Sequence, residues 1–311
     1  MVKRFLLIGF MLIACNARVH AEENGVGHWI PGQIPFFAGM MPPDKGLYVR
    51  ESNYMYSGTL SDKIGVPIGN EVVFNSKRVI YVDTFIFNYV FAPKRAGWVP
   101  NVSMDVAIPF MYFKNSVTLT PTSFAESQSS YNLSDVIITP INLGWDFQQY
   151  HWTAGINVYA PTGPYSVNSL VPSGYNYWTF EPAIGFTYYD PGNRIELTFY
   201  AGIDFNTINY AAEYKTGDQF HVDWIAAKYF NHGFAMGLGG YVYDQVTGDS
   251  GTGAVLGAYK DYIFSLGPVF RYADEIMKVP LSIELKVLPR IRAVNAPDGT
   301  AAWLNFNLTF K

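Results

Sequence analysis

"RIELTFYAGIDFN", Arg194 to Asn206, divides its residues between two faces. Ile195, Leu197, Phe199, Ala201, Ile203 and Phe205 fall on one, and Arg194, Glu196, Thr198, Tyr200, Gly202, Asp204 and Asn206 on the other. A period of two is the period of a β-strand, whose side chains point alternately to opposite sides. Strands of soluble sandwiches are usually about five or six residues long, whereas a tilted strand that crosses a bilayer needs about 9 to 11. This run is long enough to cross, with its apolar face toward lipid and its polar face toward an interior. "LSIELKVLPRIR", Leu281 to Arg292, repeats the pattern: Leu281, Ile283, Leu285, Val287, Pro289 and Ile291 alternate with Ser282, Glu284, Lys286, Leu288, Arg290 and Arg292.

Outward from these two runs, the same period predicts strands near 47-58, 77-92, 98-114, 134-148, 151-161, 176-190, 193-210, 219-230, 233-246, 261-273, 278-293 and 301-311. About twelve is an even number, as single-chain bacterial barrels have. The connections alternate in length. Those at 92-97, 148-151, 190-193, 230-233 and 273-278 are tight turns, several with Gly, Pro or Asn. Those near 59-76, 115-133, 162-175, 211-218, 247-260 and 294-300 are mostly longer and richer in Ser, Thr, Gly and Pro. Short periplasmic turns and longer external loops are the topology of an outer-membrane barrel. The expected fold is all-β: a closed antiparallel transmembrane up-and-down β-barrel of about 12 strands, occupying 47-311. Pro109, Pro140, Pro182, Pro268 and Pro289 interrupt proposed strands, where a proline cannot donate to the ladder.

Composition agrees. Charged residues are 15% of the chain, against about 25% in ordinary soluble domains, and aromatic residues are 17%. After the first segment no apolar run of about 18 residues occurs, which excludes inner-membrane helices. A net charge of -4 gives no reason to expect nucleic acid as a partner. Residues 1-21 are expected to be a signal peptide, with a basic start at Lys3 and Arg4 and an apolar core from Phe5 to Ala14. Two processing signals compete: "LIAC" would leave a lipidated Cys15, and "VHA" would cleave after Ala21 and remove it. A barrel held by its apolar belt gains little from an acyl anchor, so cleavage after Ala21 is the expectation.

"GVGHWIPGQIPFFAGMMPPDKGLYVRESNYMYSG" (25-58), "LSDVIITPINLGW" (133-145), "VYAPTGPY" (158-165), "YWTFEPAIGFTYYD" (177-190), "TINYAAEYKTGDQFHVDW" (207-224) and "GYVYDQVTGDSGTG" (240-253) resemble segments of one family. It is the family labelled putative MetA-pathway of phenol degradation. The resemblance implies an outer-membrane barrel, often encoded near aromatic-degradation pathways. Barrels of the outer membrane commonly end on an aromatic residue that the assembly machinery reads. Here "LNFNLTFK" puts Phe310 one place before Lys311.

If the apolar faces meet lipid, the lumen receives Asp105, Asp146, Glu181, Arg194, Glu196, Asp204, Asn206, His221, Asp223, Arg271, Glu284, Lys286, Arg290 and Arg292. Opposite charges there either brace the wall by pairing across strands or line a selective pathway. Arg271, Lys286, Arg290 and Arg292 are suited to a carboxylate or phenolate. The segment 22-46 precedes the first strand and shows neither period, yet it carries Trp29, Phe36 and Phe37 among other apolar residues. Leaving them in water would cost about 25 cal/mol per Å², so the expectation is a plug in the lumen, with packing under the rim as the alternative.

No enzyme is expected. "GDSG" (248-251) imitates a protease nucleophile segment without a matching His, "GTGAVLG" (251-257) imitates a dinucleotide turn without a helix, and the histidines show no ligand spacing. No cofactor or metal is expected. The functional expectation is passive uptake of small hydrophobic or aromatic solutes through the outer membrane of a Gram-negative bacterium. Its partners would be membrane lipid, lipopolysaccharide and the assembly machinery. A barrel with structural or surface-interaction duties is the alternative, and an outer-membrane hydrolase a more distant one.

Overall fold

The computed structural model describes residues 27–65, 71–91, 98–254, 257–276 and 279–310. The signal peptide, Cys15, the turn at 92-97 and Lys311 lie outside the described residues. The chain forms strands β1 (Gly46–Gly65), β2 (Glu71–Val90), β3 (Asn101–Thr120), β4 (Phe124–Leu133), β5 (Val136–Phe147), β6 (Tyr150–Ala160) and β7 (Thr179–Asp190). It continues with β8 (Ile195–Asn206), β9 (Gln219–Tyr229), β10 (Phe234–Gln245), β11 (Tyr262–Ile276), β12 (Val279–Val294) and β13 (Asp298–Phe310), and the described residues contain no helix. All pairings are antiparallel, and β1 bonds to both β2 and β13, which closes the ring. β4 and β5 occupy one place: the far half of β3 pairs with β4 and its near half with β5. Taken as one crossing strand broken at Ser134 and Asp135, they make a twelve-stranded closed barrel.

The first two hairpins run further than expected. Residues 59-65, 71-76 and most of 115-133, read as loops, continue the ladder. Their outward face is polar rather than apolar, as in the bonds Ser61 to Asn75 (2.6 Å) and Ser116 to Ser127 (2.8 Å), while Phe74 and Val117 are turned inward. Beyond the lipid belt no face has to be apolar, so hydrophobic periodicity fades while backbone pairing persists.

Each proline falls where a ladder is already irregular. Pairing of β3 changes partner around Pro109, whose carbonyl accepts from Ser134 N at 2.8 Å. Pro140 lies in the bulge between Ile138 and Ile141, Pro182 in a gap of the β7–β8 ladder, and Pro268 and Pro289 together in a gap of the β11–β12 ladder. A residue without an N–H costs least where no bond was to be made.

The barrel is apolar outside and polar inside. On β8, Phe199 is 45% exposed while Glu196 and Thr198 on the opposite face are 0% exposed. Trp98, Tyr150, Trp152, Phe230 and Phe234 are exposed around the end with the tight turns, as an aromatic girdle at a membrane surface would be. Asp83 departs from the pattern. β2 buries Ile80 and Val82 and exposes Tyr81 and Phe87, so Asp83 shares the outer face, opposite Asn53 and Phe110. Its Oδ1 has no hydrogen-bond partner. A carboxylate on the lipid face costs free energy, so Asp83→Leu is expected to stabilise the barrel by about 1 kcal/mol. The readout is a higher midpoint for the heat-induced shift in gel mobility; a lower midpoint would show that the carboxylate is held by a partner.

Candidate functional site: the filled lumen

The segment 27–45 enters the barrel and leaves only residues 43–45 exposed, and its backbone is bonded to the wall from Gly32 to Gly39. His28 joins Asp135 (2.9 Å) and Thr179 (2.7 Å). Asp223 accepts from Gly32 N at 3.0 Å, and Lys286 Nζ donates to Gly32 O and, at 2.6 Å, to Ile34 O. Glu196 accepts from Phe37 N (2.7 Å), Thr153 donates to Ala38 O (3.1 Å) and Thr187 accepts from Gly39 N (3.0 Å). A segment without regular structure cannot satisfy its own amides, and an inward face rich in carboxylates and hydroxyls supplies the partners. Two glycines allow the fit. Gly32 has φ +87°, which favours glycine. A Cβ on Gly39 would lie 2.3–2.6 Å from backbone atoms of Phe186 and Thr187.

The apolar side chains complete the seat. Trp29 is 3% exposed and lies flat over the neighbouring rings of His221 (3.9 Å) and Tyr200 (5.4 Å). Ile34 and Phe36 join a core with Tyr54, Tyr56, Ile80, Val82, Met111 and Trp303 from the wall. Phe37 packs among Tyr189, Tyr229 and the Arg271 guanidinium.

The structure brings most of the lumen candidates inside, in separate groups. Glu196, Asp223 and Lys286 hold the segment. Glu181, Asp204 and His221 cluster on β7, β8 and β9 with no exposure to solvent. Asn206 bridges Thr179 and Gln219. Asp146 bonds His151 at 2.5 Å, and Asp105 accepts from Asn88. Glu284 accepts from Asn305 and stands 3.9 Å from Arg271; Arg290 lies 4.6 Å over the Tyr56 ring and donates to Pro297 O.

Two candidates are not in the lumen. Arg194 is exposed in the turn before β8, at φ +54°, and donates to Asn231 (2.6 Å); strand alternation starts one residue later. Arg292 pairs with Phe264 while Arg290 pairs with Ser265, so Ile291 is an extra residue in a bulge. A slip of one residue reverses the face. Arg292 therefore joins the outer side with Phe264 and lies over Tyr262.

Between the segment and the wall of β1, β2 and β3 is a cavity of about 480 Å³. Its lining is mostly apolar: Ile34, Phe36, Tyr54, Tyr56, Ile80, Val82, Ile86 and Met111. Charged groups reach it at a few points: Arg50, Arg78, Arg271 and Arg290 among the cations, and Asp105, Asp135, Asp261 and Glu284 among the carboxylates. Arg50 Nε is buried with no hydrogen-bond partner. The connection 161–178 closes over the loop end, where Asp135 accepts from Gly163 N and Tyr175 N, both at 2.8 Å, and Val171, Tyr175 and Tyr177 are buried. Arg50, Arg78 and Asp135 were not among the sequence candidates. Arg50 and Arg78 lie in strands whose alternation is impure, and Asp135 stands at a break that only the pairing of β3 reveals.

A family model described as "Putative MetA-pathway of phenol degradation" matches residues 61–306. The solved structure of an outer membrane channel from Pseudomonas putida F1 superimposes with a TM-score of 0.65 at 13% identity, over 91% of this chain and 100% of that one. A FadL homologue of Pseudomonas aeruginosa matches at a TM-score of 0.37 and 9% identity, over 85% of this chain and 89% of its own. An anion-selective porin from Comamonas acidovorans matches at 0.31 and 10%, over 86% and 100%. No curated protein matches the sequence. The fold is that of an outer-membrane channel.

Proposed function

We propose, from the premise that the chain belongs to the family described as Putative MetA-pathway of phenol degradation, that it carries small hydrophobic or aromatic compounds passively across the outer membrane. The observation that supports this reading is the cavity. Ligand pockets are typically about 300–1,000 Å³, mostly apolar, with a few placed polar groups, and about 150 Å³ is enough for benzene. The aromatic and aliphatic lining favours an apolar ring, and Arg50, Arg271 and Arg290 suit a carboxylate or phenolate carried on it. Lipopolysaccharide hinders apolar solutes at the outer leaflet, so a protein route past it has a physical purpose.

In this reading the segment 27–45 is a plug seated in the lumen, and passage requires part of it to shift. The lumen charges that bond the segment act as its fastening, and those that line the cavity act on the solute. Export by the N-terminal signal with cleavage after Ala21 completes the reading; an intact mass that includes a lipidated Cys15 would overturn that point. No chemical step is assigned to the protein.

The test is reconstitution in liposomes, comparing uptake of phenol, benzoate, a fatty acid and a sugar. Phenol or benzoate is expected to enter faster than into empty vesicles, and the sugar not. Absence of uptake for every solute would favour a second reading. That reading is a closed barrel with surface duties, supported by the long external hairpin of β3 and β4 and by the bonds that seat the segment.

A further inference from the structure

The geometry points to a divalent metal site in the barrel wall, formed by Glu181, Asp204 and His221 and taking an ion of the zinc class. The three residues stand on neighbouring strands, and one ligand atom from each lies within 4.8 Å of the others. His221 Nε2 is 3.2 Å from Glu181 Oε1 and 3.9 Å from Asp204 Oδ1. An ion about 2.1 Å from each ligand atom gives separations of roughly 3.0–3.5 Å at tetrahedral or right angles. Closing the longer distance takes a small side-chain movement.

Two independent observations say that this group is arranged for a ligand. His221 is 0% exposed, yet neither of its ring nitrogens makes a hydrogen bond, although Nε2 stands beside both carboxylates. A buried imidazole is usually bonded. Space beside it is also kept open: Gly202 is paired with His221 across the ladder, and a Cβ there would lie 2.5 Å from Nε2 and 2.8 Å from Glu181 Oε1.

The surroundings fit coordination. The far oxygen of Glu181 accepts from Tyr159 OH (2.7 Å) and Asn157 Nδ2 (3.1 Å), which fixes the carboxylate and turns its other oxygen toward His221. Groups that orient a ligand in this way are a regular part of metal sites. Two carboxylates outnumber one imidazole, so even a protonated histidine would leave the three with net negative charge, whereas a divalent ion with neutral histidine brings them to zero. An imidazole nitrogen in the donor set favours zinc, cobalt or nickel over calcium or magnesium, which prefer oxygen alone. Trp29 stacks on the imidazole and covers it, so the ion has to enter before the segment seats. This role is independent of transport.

The test follows from that order of events. The full-length barrel is refolded from urea into detergent, with EDTA or with excess Zn²⁺, and metal is measured after gel filtration. One Zn²⁺ per chain is expected in the second preparation, and Co²⁺ in its place should give visible absorption bands of an N/O site. Asp204→Asn and His221→Gln should retain no stoichiometric ion while keeping heat-modifiable mobility. If either fails to fold, Tyr159→Phe, which removes one hydroxyl and keeps the ring, should weaken Zn²⁺ at least tenfold. Wild-type protein that retains no ion would overturn the site. So would one equivalent held equally well by Asp204→Asn, His221→Gln and Tyr159→Phe, because the ion would then lie elsewhere.

Discussion

Replacing Gly39 with leucine is expected to open the barrel without dismantling it. The glycine Cα faces the backbone of β7 so closely that even a methyl group would meet Phe186 and Thr187 at 2.3–2.6 Å, and these are main-chain atoms that cannot swing away. Overpacking of this kind costs about 1–3 kcal/mol where the surroundings can adjust, and more where they cannot. The adjustment open to this structure is to lift the segment, since residues 36–41 are held by a few hydrogen bonds and by Phe37, whereas β7 is paired with a strand on either side, without interruption at Phe186 and Thr187. Strand pairing does not involve Gly39, so heat-modifiable mobility should survive. Single-channel conductance should rise severalfold, and the lifted segment should become a target for protease. A folded variant with unchanged conductance would show that the segment does not obstruct the passage.

The seat that this substitution disturbs was only half legible in the sequence. Trp29, Phe36 and Phe37 stood out because a polar leader has no use for them, and that reasoning needs no knowledge of partners. Their partners were another matter. Which carboxylate meets which amide depends on the register of strands nearly two hundred residues away, as between Gly32 and Asp223. The barrel itself was legible because a period of two over more than ten residues has few other physical causes. That signal weakened where its cause weakened: residues 115–120 and 124–133 pair as strands but stand clear of lipid, so no apolar face marks them.

The lumen shows the same division. Residues such as Glu196, Asp223 and Lys286 could be assigned to the inner face by counting, and the count holds until a bulge intervenes. At Ile291 one extra residue reverses it, and Arg292 goes outside. Leu288 illustrates the opposite case: an apolar residue in a polar series, it is 1% exposed, because the segment beside it brings Gly32 within contact of its side chain. Convergence is what counting cannot give. Glu181, Asp204 and His221 have no ligand spacing along the chain, and only the pairing of three consecutive strands puts them together.

Substitution of Lys286 with methionine should loosen the same segment from the opposite wall, with a larger cost in stability. The ammonium is 1% exposed, donates to Gly32 O and Ile34 O, and lies 5.3 Å from the Trp303 ring centre. Asp223 takes the amide of the same Gly32 at 3.0 Å, so a cation and an anion grip one residue through the two peptide groups that flank its Cα. Methionine has nearly the same length and is apolar, so little volume changes. What changes is that two carbonyls lose their donor and buried Asp223 and Glu284 lose a nearby positive charge. Removing one partner from buried ionic groups typically costs about 3–5 kcal/mol. Urea-induced loss of the fast-migrating form should shift to lower denaturant by a corresponding amount, and conductance should rise because residues 32–34 are no longer tied on one side. Asp223→Asn in the same chain should recover part of the loss, since it removes the charge left uncompensated, so the double substitution should cost less than the sum of the singles. Strict additivity would mean that the two residues hold the segment independently, and the shared grip on Gly32 would then have to be abandoned.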